Sequence, residues 1–210
     1  MARYEVAPTR TNLARIKSDL AFAREGYELL EQKREILVME LKRFTARAID
    51  AQAKADAELA RAHAALREAL LASGVSAGAT AASAVGALAG VTLRERHVMG
   101  VSVPAVSLAV QDSPPYYGPV QSSAWTDEAA ARFKTALHLL AELAETRISV
   151  LRLAREIQKT IRRVNALEKI LIPDYEASRR YVEDALEESD RDALFALKRI
   201  KERLEALGDG

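Results

Sequence analysis

The chain has 210 residues, with 31 basic and 30 acidic side chains and no cysteine. That balance gives no global attraction to nucleic acid or to an acidic membrane surface, and the missing thiols exclude disulfides and thiolate metal sites. Charged residues make up 29% of the chain against 5% aromatics, and Ala, Glu, Leu and Arg dominate both ends. This is the composition of long helices and not of a large enclosed core.

The opening stretch MARYEVAPTRTNLARIKSDL has no continuous apolar segment of signal-peptide type, so an uncleaved soluble protein is expected. Pro8 and Thr9 precede a helical pattern whose N-cap is expected at Thr11 or Asn12. From Leu13, Ile16, Leu20 and Ala23 through Leu37, Leu41 and Phe44 to Ala62, Ala65 and Ala69, apolar residues recur at steps of three and four. The large ones give way to alanine after about residue 48, so the second half of this helix grips its neighbour less strongly per turn. Gly26 is either a point of close approach or a tolerated surface glycine.

From Ala69 to Leu93 there is no charge, but Ala, Gly, Ser and Thr prevail there and a membrane span is not expected. Residues 74–90 read as loop. VTLRERHV and VSVPAVSLAV then carry the alternation of short strands, with Met99-Gly100 as the turn and Pro104 restricting the second to an edge. A Pro-, Gly- and Tyr-rich segment follows, and a second long helix is expected from Thr126 or Asp127.

That helix continues through residues 147–207, where Ile157, Val164, Leu171, Val182, Leu197, Ile200 and Leu204 mark one narrow stripe among charged faces. A stripe so narrow asks for one partner helix, and the first seventy residues supply it. Pro173 is expected to cost a helix hydrogen bond and bend the chain. The fold class is therefore mainly α: a long antiparallel two-helix coiled coil of N- and C-terminal helices with a small central head containing a β-hairpin. The expected divisions are an N-terminal coiled-coil helix at 1–72, the head at 73–125 and a C-terminal coiled-coil helix at 126–210.

No phosphate-cradling G-x-x-x-x-G-K-[ST], no G-x-S-x-G and no His pair at metal-ligand spacing occurs, so neither catalytic residues, metal nor cofactor is expected. The acidic run Glu183 to Asp192 pairs within its own helix, as Arg179 with Glu183, Arg180 with Asp184 and Glu187 with Arg191. The basic group Arg155, Lys159, Arg162, Arg163 and Lys169 is less balanced and reads either as a partner surface or as a solvated face, as does Lys198 to Arg203.

Five segments carry a family resemblance. They are P-T-R-T-N-L at Pro8–Leu13, A-x-x-G-x-x-L-L-x-x-K-R-x-x-L at Ala23–Leu37, V-x-G-V-x-V-P at Val98–Pro104, T-x-R-R-V-N-A-L-E-x-x-x-I-P at Thr160–Pro173, and F-x-L-K-R-I-K at Phe195–Lys201. In this order they resemble the D subunit of the V-type and archaeal A-type ATPase/ATP synthase, prokaryotic branch. The resemblance implies a non-catalytic central-stalk rotor shaft coupling ATP hydrolysis or synthesis in a ring of A and B subunits (A3B3) to rotation of the membrane ring and ion transport. Its implied partners are the A and B subunits, the F subunit on the side of the coiled coil, and the C (or d) subunit of the central stalk, with no nucleic acid and no direct membrane insertion. It implies a peripheral position on the cytoplasmic face of the membrane, in the V1/A1 sector.

Carried onto this chain, the ring-contacting tip is Arg10, Leu13, Arg15, Leu197, Lys198, Arg199 and Lys201, with Leu13, Ile16, Leu20, Leu197, Ile200 and Leu204 as its seam. Arg162, Arg163 and Asn165 are partner-binding candidates, and Val98, Gly100, Val101, Val103 and Pro104 belong to the head hairpin. A reading from another class, a stand-alone coiled-coil scaffold or tether, rests on the heptads alone and predicts a self-sufficient homodimer. Nucleic-acid binding through residues 155–169 is opposed by the balanced charge.

Overall fold

Thr9 starts the first helix, α1 (Arg10–Ser73): its hydroxyl accepts from the Asn12 N–H at 3.2 Å and its carbonyl from the Leu13 N–H at 2.9 Å. The cap thus lies two or three residues before the expected Thr11 or Asn12, because Pro8 leaves Thr9 as the first residue with a side-chain oxygen in reach. The structure is a computed structural model and describes residues 7–84, 89–110 and 123–208. Gly74 ends α1 with φ +83°, donating its N–H to the Leu70 carbonyl at 2.9 Å.

A second helix, α2 (Val75–Ala84), follows at once. This corrects the expectation of a loop over 74–90: its many alanines favour helix, and Gly78 lets it pass close to α1. A Cβ on Gly78 would sit 2.7 Å from Leu70 Cδ2. Gly26, by contrast, has open space around its missing Cβ and is a tolerated surface glycine.

Strands β1 (Ala89–Val98) and β2 (Val101–Val110) form an antiparallel two-stranded sheet, with Val98 opposite Val101 and Glu95 opposite Pro104. The turn between them has positive φ at both Met99 (50°) and Gly100 (77°), the tight geometry that matches strand twist. Helix α3 (Ala124–Ala166) begins two residues before the expected Thr126, since Ser123 already caps it. The Thr126 N–H donates to the Ser123 carbonyl at 2.8 Å and the Ser123 N–H to the Thr126 hydroxyl at 3.3 Å. A π turn at Leu167–Leu171 leads into α4 (Ile172–Gly208). The Pro-, Gly- and Tyr-rich segment at 111–122 lies outside the described residues.

The chain forms two units. One takes the residues up to Arg34 and those from Lys159 onward; the other takes Glu35–Gln158. In the first, α1 and α4 run antiparallel, and the buried positions are Ile16, Leu20, Ala23, Thr160, Val164, Ser178 and Val182. In the second, α1 and α3 run antiparallel, as Gln52 with Arg147 (3.4 Å) and Glu58 with Arg132 (3.5 Å) show. Its main core joins Leu37 and Phe44 of α1, Leu153 and Ile157 of α3, and Val101 and Val103 of β2. A second cluster, Ala51, Ala55 and Leu143, continues along the same helices.

Thr146 and Ser149 are also buried on this seam. Their hydroxyls donate to the Glu142 carbonyl at 3.0 Å and the Glu145 carbonyl at 2.7 Å on their own helix, so small polar residues fill seam positions without an unpaired group. Replacing fully buried Leu153 by Ala is expected to lower unfolding free energy by about 2–5 kcal/mol. The same change at Leu194, which is 67% exposed, is expected to stay within about 0.5 kcal/mol, both read from urea midpoints.

Candidate functional site

Among the described residues no group of His, Asp or Glu is arranged to hold a metal ion, and no helix is long and apolar enough to cross a membrane. The chemistry of this chain lies in surfaces. The first is in the unit that holds both ends of the chain. Ion pairs bridge its antiparallel helices, among them Arg10 with Asp190 at 3.1 Å, Lys17 with Glu183 at 2.8 Å and Arg24 with Glu176 at 2.6 Å. Each step of seven residues up α1 matches a step of seven down α4. The pairs are solvent-flanked, and each adds little alone, about 0–1 kcal/mol. Together they fix which turn of α4 faces which turn of α1.

Past Asp190 the helix continues with every described side chain exposed. Leu194, Phe195, Leu197, Ile200 and Leu204 are each more than half exposed. This corrects the seam expected at the tip: Ile16 and Leu20 are buried, and Leu13 partly so, but Leu197, Ile200 and Leu204 are not. The physical reason is length. α1 starts at Arg10, which lies opposite Asp190, so α4 outruns it by several turns.

Of the basic tip residues, Arg10 is engaged with Asp190, Arg15 lies 3.9 Å from Asp19, and Lys198 lies 4.0 Å from Glu202. Arg199 and Lys201 are exposed on the same overhanging helix. Within α4, Arg179 and Arg191 reach Glu183 and Glu187 as expected, at 3.6 and 2.5 Å, while no Arg180–Asp184 pair forms. Arg162, Arg163 and Asn165 are all exposed, on the last turn of α3 before the π turn.

The second surface belongs to the other unit. Val101, Val103 and Pro104 are buried and Val98 is half-buried against the helices, while Gly100 makes the turn. Two residues that the sequence did not single out hold β2 in place. Arg152 donates to the Ser102 carbonyl at 3.0 Å, and the Val106 N–H donates to the Glu145 carboxylate at 2.9 Å. Their seven-residue spacing on α3 was the only signal, and it reads equally as an ordinary charged face. A groove of about 450 Å³ also opens between α1 and α3, lined by Thr45, Ile49, Gln52, Arg147, Val150 and Leu151. It is apolar and holds no carboxylate or imidazole, so it can bind but has nothing with which to transfer a proton.

The family model described as the ATP synthase D subunit matches residues 12–202. The V-type ATP synthase D subunit of Thermotoga neapolitana is 36% identical over 95% of this chain and 98% of its own length. The A-type ATP synthase D subunit of Methanopyrus kandleri is 36% identical over 96% of this chain and 88% of its own, and the V-type D subunit of Thermus thermophilus is 36% identical over 96% and 90%.

The Lys17 ammonium holds the Glu183 carboxyl below its ordinary range, chiefly by its hydrogen bond and against partial desolvation, with the charges of Lys17 and Arg179 adding. A lowered folded-state pKa means that this contribution is present above the unfolded carboxylate pKa and is lost as pH falls through the folded one. Thermal melts taken down from neutral to about pH 3 are expected to show a Tm decrease that is smaller in Lys17→Ala. Lys17→Glu is expected to melt lower at neutral pH, with Lys17→Glu plus Glu183→Lys recovering most of the loss. Equal melts for the single and double variants would remove the pair from the register.

Proposed function

The chain belongs to the ATP synthase D-subunit family, and from that membership we propose that it is the central-stalk rotor subunit of a V/A-type ATPase. It works without catalysing, coupling ATP hydrolysis or synthesis in the A3B3 ring to rotation of the membrane ring and ion transport. Its partners are the A and B subunits, the F subunit, and the C (or d) subunit of the central stalk. Its place is peripheral, in the V1/A1 sector on the cytoplasmic face of the membrane.

The observation that supports this reading best is the overhang of α4. A helix that carries Phe195, Leu197, Ile200 and Leu204 exposed, interleaved with Lys198, Arg199 and Lys201, is built to be enclosed by another protein. Within a threefold ring a single shaft meets the three catalytic sites differently, so its angle and their nucleotide states are coupled in both directions. Leu13, Arg10 and Arg15 complete the enclosed tip. Arg162, Arg163 and Asn165 face a stalk partner, and Val98 to Pro104 set the head hairpin.

Reconstitution of the full chain with the A, B and F subunits is expected to give a complex that rotates a bead fixed to the head end during ATP hydrolysis. Deleting the chain from Arg191 onward is expected to leave a folded protein that still binds the F subunit but loses most ATP-driven rotation. A chain that forms a self-sufficient homodimer and neither joins the ring nor alters its hydrolysis would overturn the proposal in favour of a scaffold. Hydrolysis of ATP by the purified chain alone would do so as well.

A further inference from the structure

The two edges of the hairpin are finished differently. In a two-residue hairpin the pair beside the turn is hydrogen-bonded, and inward and outward backbone groups then alternate along each strand. On β2 three outward groups near the turn are closed. The Ser102 carbonyl accepts from Arg152 at 3.0 Å, Pro104 has no N–H to offer, and the Val106 N–H donates to Glu145 at 2.9 Å. On β1 the same alternation turns the N–H and C=O groups of Val91, Leu93, Glu95 and His97 outward. Among the described residues these groups have no partner, and every side chain from Val91 to His97 is exposed. A strand of ten residues with an open edge is a template for pairing unless it is covered or blocked.

The side chains on that edge are patterned. Strand alternation puts Arg94 and Arg96 on one face, and Val91 and Leu93 followed by Glu95 and His97 on the other. Val91 is 61% exposed and Leu93 69%, and neither arginine makes an ion pair among the described residues.

We propose that β1 is a docking edge that takes an extended segment of a partner protein as a third strand. That segment carries carboxylates opposite Arg94 and Arg96, with apolar side chains on its other face beside Val91 and Leu93. Backbone hydrogen bonds supply the attachment and the cross-strand charge pairs supply the choice of partner. A second copy of the chain is the poorer occupant, because it would bring its own arginines to the same edge. The docking edge belongs to the hairpin alone and stands apart from the rotor reading.

The test uses the isotope-labelled full chain and two eight-residue peptides, one alternating glutamate with valine and the other lysine with valine. Amide hydrogen exchange at Leu93 and Glu95 is expected to slow with the glutamate peptide, which binds about tenfold more tightly than the lysine peptide. Leu93→Pro removes an outward N–H while leaving the ladder to β2 intact, and it is expected to abolish the protection. Arg94→Glu with Arg96→Glu is expected to invert the preference, and it keeps the test decisive should Leu93→Pro fail to fold. Equal binding of both peptides, or no protection by either, overturns the proposal. Protection that rises with protein concentration in the absence of peptide overturns it too, by assigning the edge to a second copy.

Discussion

A helix with charge on most of its surface can hold a neighbour only along one stripe, and in this chain the width of that stripe decides everything else. In the unit Glu35–Gln158 the α1 side of the seam becomes alanine at Ala51, Ala55, Ala62, Ala65 and Ala69, and α3 answers with Ala129, Ala136, Thr146 and Ser149. Small residues let two backbones approach closely but remove little apolar area from water per turn. The hairpin supplies what the alanines lack. Val101 and Val103 close over Leu37, Phe44, Leu153 and Ile157, a cluster in which large side chains meet from three elements. A head too small to fold alone and a seam too thin to hold alone thus complete each other.

A narrow apolar seam leaves a second problem, since sliding by one heptad presents the same kind of surface again. The charges bias that choice. With Arg10, Lys17 and Arg24 facing Asp190, Glu183 and Glu176, a slip of seven residues one way brings Arg24 level with Lys169. A slip the other way brings Glu31 level with Glu176. Each wrong register keeps two opposite-charge meetings, loses one and adds one like-charge meeting where the sign of the pattern reverses. Weak exposed pairs suffice for this, because choosing among registers takes a difference in energy and not a large total.

These rules explain what could be read from the sequence. The seam was legible because its period is intrinsic to the helix, and the hairpin because Met99-Gly100 separates two alternating runs with a two-residue turn. The short helix at Val75–Ala84 was not, since a run of Ala, Gly and Ser has no apolar period, and the placement depends on Gly78 meeting Leu70. Nor could the apolar stripe reveal that Leu197, Ile200 and Leu204 would stay exposed. A stripe tells which side chains want burial, whereas the length of the opposite helix, set by Pro8 and Thr9, tells which receive it. Arg152 and Glu145 stayed hidden for a related reason: their partners are backbone groups of β2, and backbone groups leave no mark in the sequence.

Pro173 shows the two kinds of information meeting. Along α3 and α4 the seam runs Thr160, Val164, Leu167, Leu171, Tyr175, Ser178 and Val182, in steps of four, three, four, four, three and four. Two consecutive fours make two repeats of eleven, about 3.67 residues per turn, which keep the stripe on one face of the helix and locally unwind the supercoil. The proline sits at that point, and it has no N–H for the Lys169 carbonyl and a ring that an ordinary α turn would press against that carbonyl. A single π turn takes the ring out of that clash. The Ile172 N–H reaches back to the Leu167 carbonyl, the turn widens by one residue, and Glu168, Lys169 and Ile170 face water. Ser178 and Val182 then return to the buried side, and α4 continues without a break in the chain of hydrogen-bonded turns.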